Sequence, residues 1–553
     1  MRDETKINAD QETSDAFYDK IVDGSSNFIT EIFFLTVAAH HYGSESLTTK
    51  LNDLHRHIRD MQSQIDRFEL ERPRWASNHV QLRMFEEALK KYKDRLELGM
   101  ALEYALQGLL LDELWQSRSM QFMRYVIVWL LRLISKRDFP KEQVQLPLPE
   151  EQSEVLKFLP EYFLDDIISN FKFILLNMPQ VVTSTQGDEL VILCITLLQS
   201  SNYIKNPFMK SGLVTILYYG TLSRRSGGRG IFVDMFNSMP FALSHLLHSL
   251  MTFYIEAEFT GTHTQFSDKF SIRYEIFQII KCIWPNQVYR DKLSVEAKKN
   301  LDFFVQFVNL LLNDVTYILD LSFTSFIKIH DTQEELNREG SSMEESVRKE
   351  KEEFLDGEKR RAKSTMQLTN ETVAMLKLFT EALADSFTMK EIVQRLADMI
   401  NYNLDAMVGP KSTNLRVDNP AEYGFNPRNM LNDITDVYLN LIGKESFILA
   451  VARDGRSYKP ANFEKAAEIL RKFALKSPED LAKWDKLQAA VKKAKEEDEQ
   501  AEEDLGEIPD EYLGKYSNLA SRVTVCLLIS TRPSYVYTHG GPRYSPKLQG
   551  INR

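Results

Sequence analysis

Two histidines three residues apart, His245 and His248 in "SHLLHSL", come nearest to a metal-ligand spacing. On a helix they share a face. A zinc site needs further ligands, and no Cys, Asp or Glu stands within four residues of either. Ordinary helix-surface or core histidines are therefore the expectation. His40 and His41 are adjacent, so their side chains diverge and do not form a metal pair. The sequence has neither an HExxH nor a GxSxG motif. Asp314 and Asp320 lie on a heavily apolar helix and read as hydrogen-bonding groups rather than an acid/base pair. Asn309 and Asn313, four apart, could hydrogen-bond the backbone of an extended peptide in a groove, or satisfy a helix–helix contact. "SRRSGGRGIF" (223–232) is glycine-rich but lacks the GxxxxGK[ST] pattern and follows no strand. It reads as an inter-helix loop, with Arg224, Arg225 and Arg229 available to an acidic partner. No catalytic, cofactor-binding or metal-binding residue is assigned, and no cofactor is expected.

Composition sets the class of protein that could position such residues. The chain has 553 residues, with 43% hydrophobic content, 33 Phe and 22 Tyr, ample for a large core. Glycine (22) and proline (18) are sparse, which favours long regular elements. A net charge of −11 argues against nucleic-acid binding. Cys194, Cys282 and Cys526 are far apart and form no disulfide framework, as in a reducing compartment. The polar start "MRDETKINADQETSD" is neither a signal nor a transit peptide. Apolar runs such as "YVIVWLLRLI" (125–134) are too short to span a bilayer, so no membrane insertion is expected. These features point to a soluble protein, cytoplasmic and nuclear.

Helical periodicity dominates. From Leu301 the apolar residues Phe304, Val305, Val308, Leu311, Leu312, Val315, Ile318 and Leu319 recur at three- and four-residue steps. "NFITEIFFLTVAAHHYG" (27–43) begins on a capping Asn and closes on a Gly, so a helix ending there is expected. Further helices are expected around 84–115, 119–136, 153–177, 188–200, 208–220, 239–256, 270–283, 367–384, 389–407 and 428–442. The best strand candidate is 535–538. Many helices of moderate length without a strict period predict an all-α, irregular helical solenoid, with a compact all-α globule as the alternative. Tetratricopeptide and ankyrin signatures are absent. Two mixed-charge stretches, 344–363 and 492–507, are expected to be solvated helices, the first protruding from or bridging the solenoid.

Several stretches carry a resemblance. "SNYIKNPFMKSGLVTILY" (201–218), "FSDKFSIRYEIFQIIKCIW" (266–284), "FVQFVNLLLNDVTYILDLSF" (304–323) and "FILAVARDGRSYKPANFEKA" (447–466) resemble the core of the ubiquitin conjugation factor E4 family. So does "NFITEIFFLTVAAHHYG". The most specific stretch is 399–441, with "NYNL", "VGPK", "NPAEYGFNPRNML" and "DVYLNL" in that order. The resemblance implies an elongated armadillo-like core and a C-terminal U-box that docks a ubiquitin-conjugating enzyme. It implies ligase activity that extends ubiquitin on ubiquitylated substrates for proteasomal degradation, without a covalent ligase intermediate. It also implies work with a AAA ATPase segregase and with shuttle factors. The expected organisation is a polar stub (1–20), the elongating-factor core (21–480), a charged linker helix (481–507) and a tail (508–553).

That tail departs from the family. "EIPDEYL" (507–513) resembles the U-box entrance, but the Asp-Pro-Leu and Met-rich continuation does not follow. The remainder has one apolar patch, 523–529, and no helical period, so a truncated U-box is expected. Gly514-Lys515-Tyr516 can be encoded as GGT-AAG-TAT, which contains an intron-start sequence; an unspliced intron is the expected cause. A non-catalytic adaptor that binds the segregase or substrates is the alternative. An unrelated solenoid such as a transport adaptor fits 399–441 poorly.

Overall fold

The computed structural model describes residues 1–20, 24–75, 79–183, 186–223, 228–259, 266–339 and 342–506. The strand candidate at 535–538, the tail 508–553, Cys526, Arg224 and Arg225 lie outside these residues. The described chain is all-α, without a β-strand; one isolated bridge pairs Lys6 with Pro160. The first helices are α1 (Gln11–Tyr18), α2 (Phe28–His40), α3 (Ser46–Trp75), α4 (His79–Leu110), α5 (Glu113–Ser135), α6 (Glu154–Phe158) and α7 (Tyr162–Asn177). There follow α8 (Asp188–Gln199), α9 (Pro207–Thr221), α10 (Val233–Ser238), α11 (Pro240–Glu256), α12 (Phe266–Ile283), α13 (Gln287–Lys299) and α14 (Leu301–Glu339). The last are α15 (Glu345–Ala382), α16 (Ala384–Phe387), α17 (Val393–Val408), α18 (Pro427–Leu441), α19 (Glu445–Arg453), α20 (Pro460–Lys472) and α21 (Pro478–Gly506).

Short polar side chains start many of these helices. Asn27, Asn206, Asn286 and Asn426 each accept a hydrogen bond from a first-turn N–H of α2, α9, α13 and α18. Asp112 does the same for α5, accepting from the Trp115 N–H at 2.7 Å. Pro207 and Pro427 follow their caps directly, where a missing N–H costs nothing. Gly43 does not end α2 as expected. The chain runs through a π-helical turn, His41–Glu45, straight into α3. Glycine is not needed to stop a helix whose carbonyls keep finding partners one residue further on. The charged stretch 344–363 is a largely exposed helix, as expected, with one face that packs. It is the first half of α15 and lies against α14, with Glu358 paired to Lys328 at 3.3 Å and Leu355 and Ala362 buried.

Residues Met1–Gln488 form one compact unit. Within it α5 packs on α7 and α8, and these lead through α9 and α11 to α12 and α13. The central pair α14–α15 comes next, followed by α17, α18, α19 and α20. Each layer touches its sequence neighbours, as a helical solenoid requires. The first residues are tied in as well: the Ile7 N–H donates to the Leu159 carbonyl at 2.9 Å. By length and composition alone, α14 could cross a membrane. Its apolar residues, among them Phe304, Phe307, Val308 and Leu311, are buried, and it packs against α11, α13, α15 and α17. Three helices are also joined by a buried charge cluster. Arg273 of α12 donates to Asp314 of α14 at 2.7 Å, and the Tyr254 hydroxyl of α11 donates to the other Asp314 oxygen. Arg273 also lies over the Tyr254 ring and reaches Glu258 at 2.8 Å. The second unit, Ala489–Arg553, is described only to Gly506, with i,i+4 pairs Lys493–Glu497 and Lys495–Glu499 along its helix.

Gly230 of the glycine-rich loop and Gly220 near the end of α9 each have a packing reason. A Cβ on Gly230 would lie 2.3 Å from the Thr221 carbonyl carbon, and one on Gly220 would meet the Phe232 ring at 1.9 Å. The loop folds back on the end of α9, with the Phe232 N–H donating to the Gly220 carbonyl at 2.9 Å. Arg229, its one described arginine, is exposed.

Candidate functional site

Three segments that are distant in sequence meet at one open cleft of about 790 Å³. From α14 come Asn313, Thr316 and Asp320, spaced three and four apart and so on one face. From α17 come Gln394, Arg395, Asp398 and Tyr402, again on one helical stripe. The end of α19 contributes Arg453, and the loop after it Asp454, Gly455, Arg456 and Ser457.

The floor is a buried polar network. The Tyr438 hydroxyl of α18 donates to Asn401 Oδ1 at 2.7 Å. Asn401 Nδ2 donates to Asp454 Oδ2 at 3.0 Å and to the Val451 carbonyl at 3.3 Å. Asp454 Oδ1 in turn accepts the Arg456 and Ser457 N–H groups, both at 3.0 Å. This fixes the 453–457 turn against α17 and α18. A buried network this well satisfied holds one geometry.

The walls carry charge of both signs. Arg395 donates to Asn313 Oδ1 at 2.8 Å, linking α17 to α14. Asp398 accepts from Gln394 Nε2 at 2.8 Å. Burial pushes the Asp398 carboxyl above its ordinary range, against the Gln394 hydrogen bond. Burial does the same to Asp320, which the Tyr402 hydroxyl opposes. Tyr402 is held up by burial, by its hydrogen bond to Asp320 and by that carboxylate's charge, while Arg456 draws it down. Arg456 is exposed and makes no ion pair among the described residues. The lining contains no His and no Cys, and its one serine, Ser457, is buried with its N–H on Asp454. The arrangement offers hydrogen-bonding groups and charges of both signs to a polar ligand.

Of the residues singled out by spacing, Asn313 and Asp320 line the cleft. Asn309 does not; its Oδ1 is buried without a partner among the described residues. Asp314 faces the opposite way, into the Arg273 cluster. His245 and His248 stand together on α11, and a carboxylate arrives from α13: His248 Nδ1 is 3.2 Å from Glu296 Oε1. His40 and His41 do diverge. His40 Nε2 meets Ser119 Oγ at 2.6 Å, and His41 Nδ1 meets Asp166 Oδ1 at 2.8 Å. Glu45 is buried in the same pocket, 3.4 Å from Asn170 Nδ2. Burial pushes Glu45 up to about 8 and Asp166 up to about 6, and pulls His40 down to about 4.

Spacing alone missed Arg395, Asp398, Tyr402, Arg453, Asp454 and Arg456. Part of the signal lay in the quoted stretches: "NYNL" and "VARDGRSY" supply Asn401, Tyr402 and the whole 453–457 turn, and "NLLLNDVTYILD" supplies the α14 wall, while Arg395 and Asp398 lie just before 399, in the helix expected over 389–407.

Comparison with known proteins bears on those same segments. The sequence profile of the "Ubiquitin elongating factor core" family matches residues 1–492. Ubiquitin conjugation factor E4 of Schizosaccharomyces pombe is 39% identical over 517 residues, covering 93% of this chain and 51% of the relative. The E4 ubiquitin-protein ligase of Saccharomyces cerevisiae is 31% identical over 543 residues, covering 92% and 56%. A probable ubiquitin conjugation factor E4 of Arabidopsis thaliana is 27% identical over 495 residues, covering 88% and 46%. The chain thus spans about half the length of the curated relatives it matches.

Proposed function

Because this chain belongs to the ubiquitin elongating factor core family, we propose that it is the partner-holding core of a ubiquitin-chain elongation factor. One observation carries the reading: three segments that bear the family's sequence character converge on a single preformed cleft. On this reading the solenoid, armadillo-like in kind, holds a ubiquitylated substrate or a AAA ATPase segregase. Transfer of ubiquitin belongs to a U-box-type module that docks a ubiquitin-loaded conjugating enzyme. The thioester carbon is then attacked directly by an acceptor lysine, so the core needs no nucleophile. The setting is cytoplasmic and nuclear, and the outcome is proteasomal degradation.

The experiment is a pull-down with purified components, offering the immobilised chain a ubiquitylated and an unmodified model substrate, and separately the ATPase. Retention of the ubiquitylated form or of the ATPase is expected, with Arg456→Glu weakening it about tenfold, or about 1.4 kcal/mol. Retention of neither, or retention indifferent to Arg456→Glu and Arg395→Glu together, overturns the reading. In a reconstituted ubiquitylation reaction the chain itself is expected to give no extension. Robust extension would place transfer within these 553 residues.

A further inference from the structure

A second concavity, of about 550 Å³, opens between α9, α12, α14 and α15 and shares no lining residue with the cleft. Its wall is made by Tyr218, Phe270, Tyr274, Ile318, Leu321 and Leu368. Ile318 and Leu321 lie three apart on α14, on another side of the helix from Asn313, Thr316 and Asp320. Phe270, Ile318 and Leu368 form one buried cluster with Tyr274 packed against it, so the wall is continuous with the core. The Tyr218 and Tyr274 rings meet edge-on, with centroids 6.2 Å apart. An apolar, aromatic concavity of this size with a few polar groups at its rim has the form of a binding pocket.

The charge at the rim is positive. Arg361 of α15 lines the pocket, and its one ion pair among the described residues is with Glu358, 3.9 Å away. Glu358 is buried and already paired to Lys328 at 3.3 Å, so the half-exposed guanidinium keeps donors for a ligand. Lys359, Arg360 and Lys363, at neighbouring positions of α15, make no ion pair among the described residues. The one acid in the lining, Glu275, accepts the Thr215 hydroxyl at 2.8 Å. Burial raises its carboxyl above the ordinary range, against that hydrogen bond and the charge of Lys172. We propose that this pocket docks an acidic polypeptide segment by one aromatic side chain, which enters beside Tyr218, Phe270 and Tyr274 while a neighbouring carboxylate pairs with Arg361. An incoming ring adds an edge-to-face contact to those already present, and a carboxylate fits the guanidinium fork. This inference does not rest on the ubiquitin reading.

The test pans random dodecapeptides displayed on phage against the immobilised chain, with the Ser364→Trp chain as counter-selection. Ser364 is exposed at the rim, so a larger side chain there fills the mouth without entering the core. The enriched peptides are expected to carry Asp or Glu beside a Trp, Tyr or Phe. A fluorescein-labelled synthetic peptide of that kind is then titrated by fluorescence polarisation. Arg361→Glu, Ser364→Trp and replacement of the peptide's aromatic residue by Ala are each expected to weaken binding at least tenfold. Arg456→Glu, in the separate cleft, leaves it unchanged, and circular dichroism checks the fold of each variant. No enrichment over the blocked chain overturns the proposal, as does enrichment of basic or aromatic-free peptides. Binding that ignores either Arg361→Glu or Ser364→Trp also overturns it. So does displacement of the peptide by N-acetyltryptophan at equal strength, which would make the occupant a small aromatic acid.

Discussion

Glu45 sits where a carboxylate is poorly tolerated, in a buried pocket with Asp165, Asp166, Asn170 and His40 around it. Its proton is held to about pH 8 in the fold, whereas an unfolded glutamate releases it near 4.5. The native state therefore binds more protons between those values, and stability falls as pH rises. His40 acts oppositely. Its neutral form is favoured, so it contributes above its ordinary 6.5 and loses that contribution as pH falls toward 4. Asp166 titrates in the fold near 6. Between pH 6.5 and 8 Glu45 is left as the one of these three still changing. Across that window Glu45 should cost the protein about 2 kcal/mol, and Glu45→Gln should flatten the loss. Urea melts of both proteins at several pH values read this directly; parallel curves would refute it. The Arg273–Asp314 pair makes a second prediction at this scale. Arg273→Met leaves a buried carboxylate without its cation and is expected to cost about 3–5 kcal/mol. Asp314→Asn in that background should recover part of the loss.

Among the elements, helix starts were legible because a cap is a local device. Asn-Pro at 206–207 and 426–427 announces α9 and α18 without help from the rest of the fold. What was not legible depended on distant partners. α3 was absent from the expected helices because its surface is largely polar; Leu51 and Ile65 are buried where α4 folds back on it. The stretch 344–363 is largely solvated, as its charges announce, but its packing on α14 was hidden because the lysine and glutamate that complement it lie elsewhere in sequence. The cleft follows the same rule. Arg395 finds Asn313 across 82 positions, and Asn401 finds Asp454 across 53, distances that no periodicity spans. The glycine loop was read correctly as an inter-helix connection, but its close approach to α9 was invisible. Gly230→Ala would press a methyl group against the Thr221 backbone and is expected to cost about 1–3 kcal/mol. A thermal melt checks it; an unchanged melting temperature would show that the loop yields freely.

The unit Met1–Gln488 is stabilised layer by layer, so damage should stay near its origin. Trp484 is fully buried, stacked 5.3 Å from Phe463 and edge-on 5.4 Å from Tyr438, with its indole N–H on the Phe463 carbonyl. Trp484→Ala removes the common contact of α18, α20 and the start of α21, at about 3–5 kcal/mol. Hydrogen exchange should quicken in those helices while the α3–α4 hairpin keeps its protection. Uniform quickening along the chain would mean that the stack opens as one body. The loss should also loosen the cleft, since Tyr438 anchors Asn401.

The burial of α14 has a consequence in time. Translation completes this helix at residue 339, while α15, its main cover, runs on to 382. At about 5–20 residues per second the ribosome presents α14 uncovered for some seconds. During that interval its composition matches that of a membrane-inserting segment. The nascent chain thus passes through a stage at which this apolar face has no cover, and slow codons between 340 and 382 would lengthen that stage.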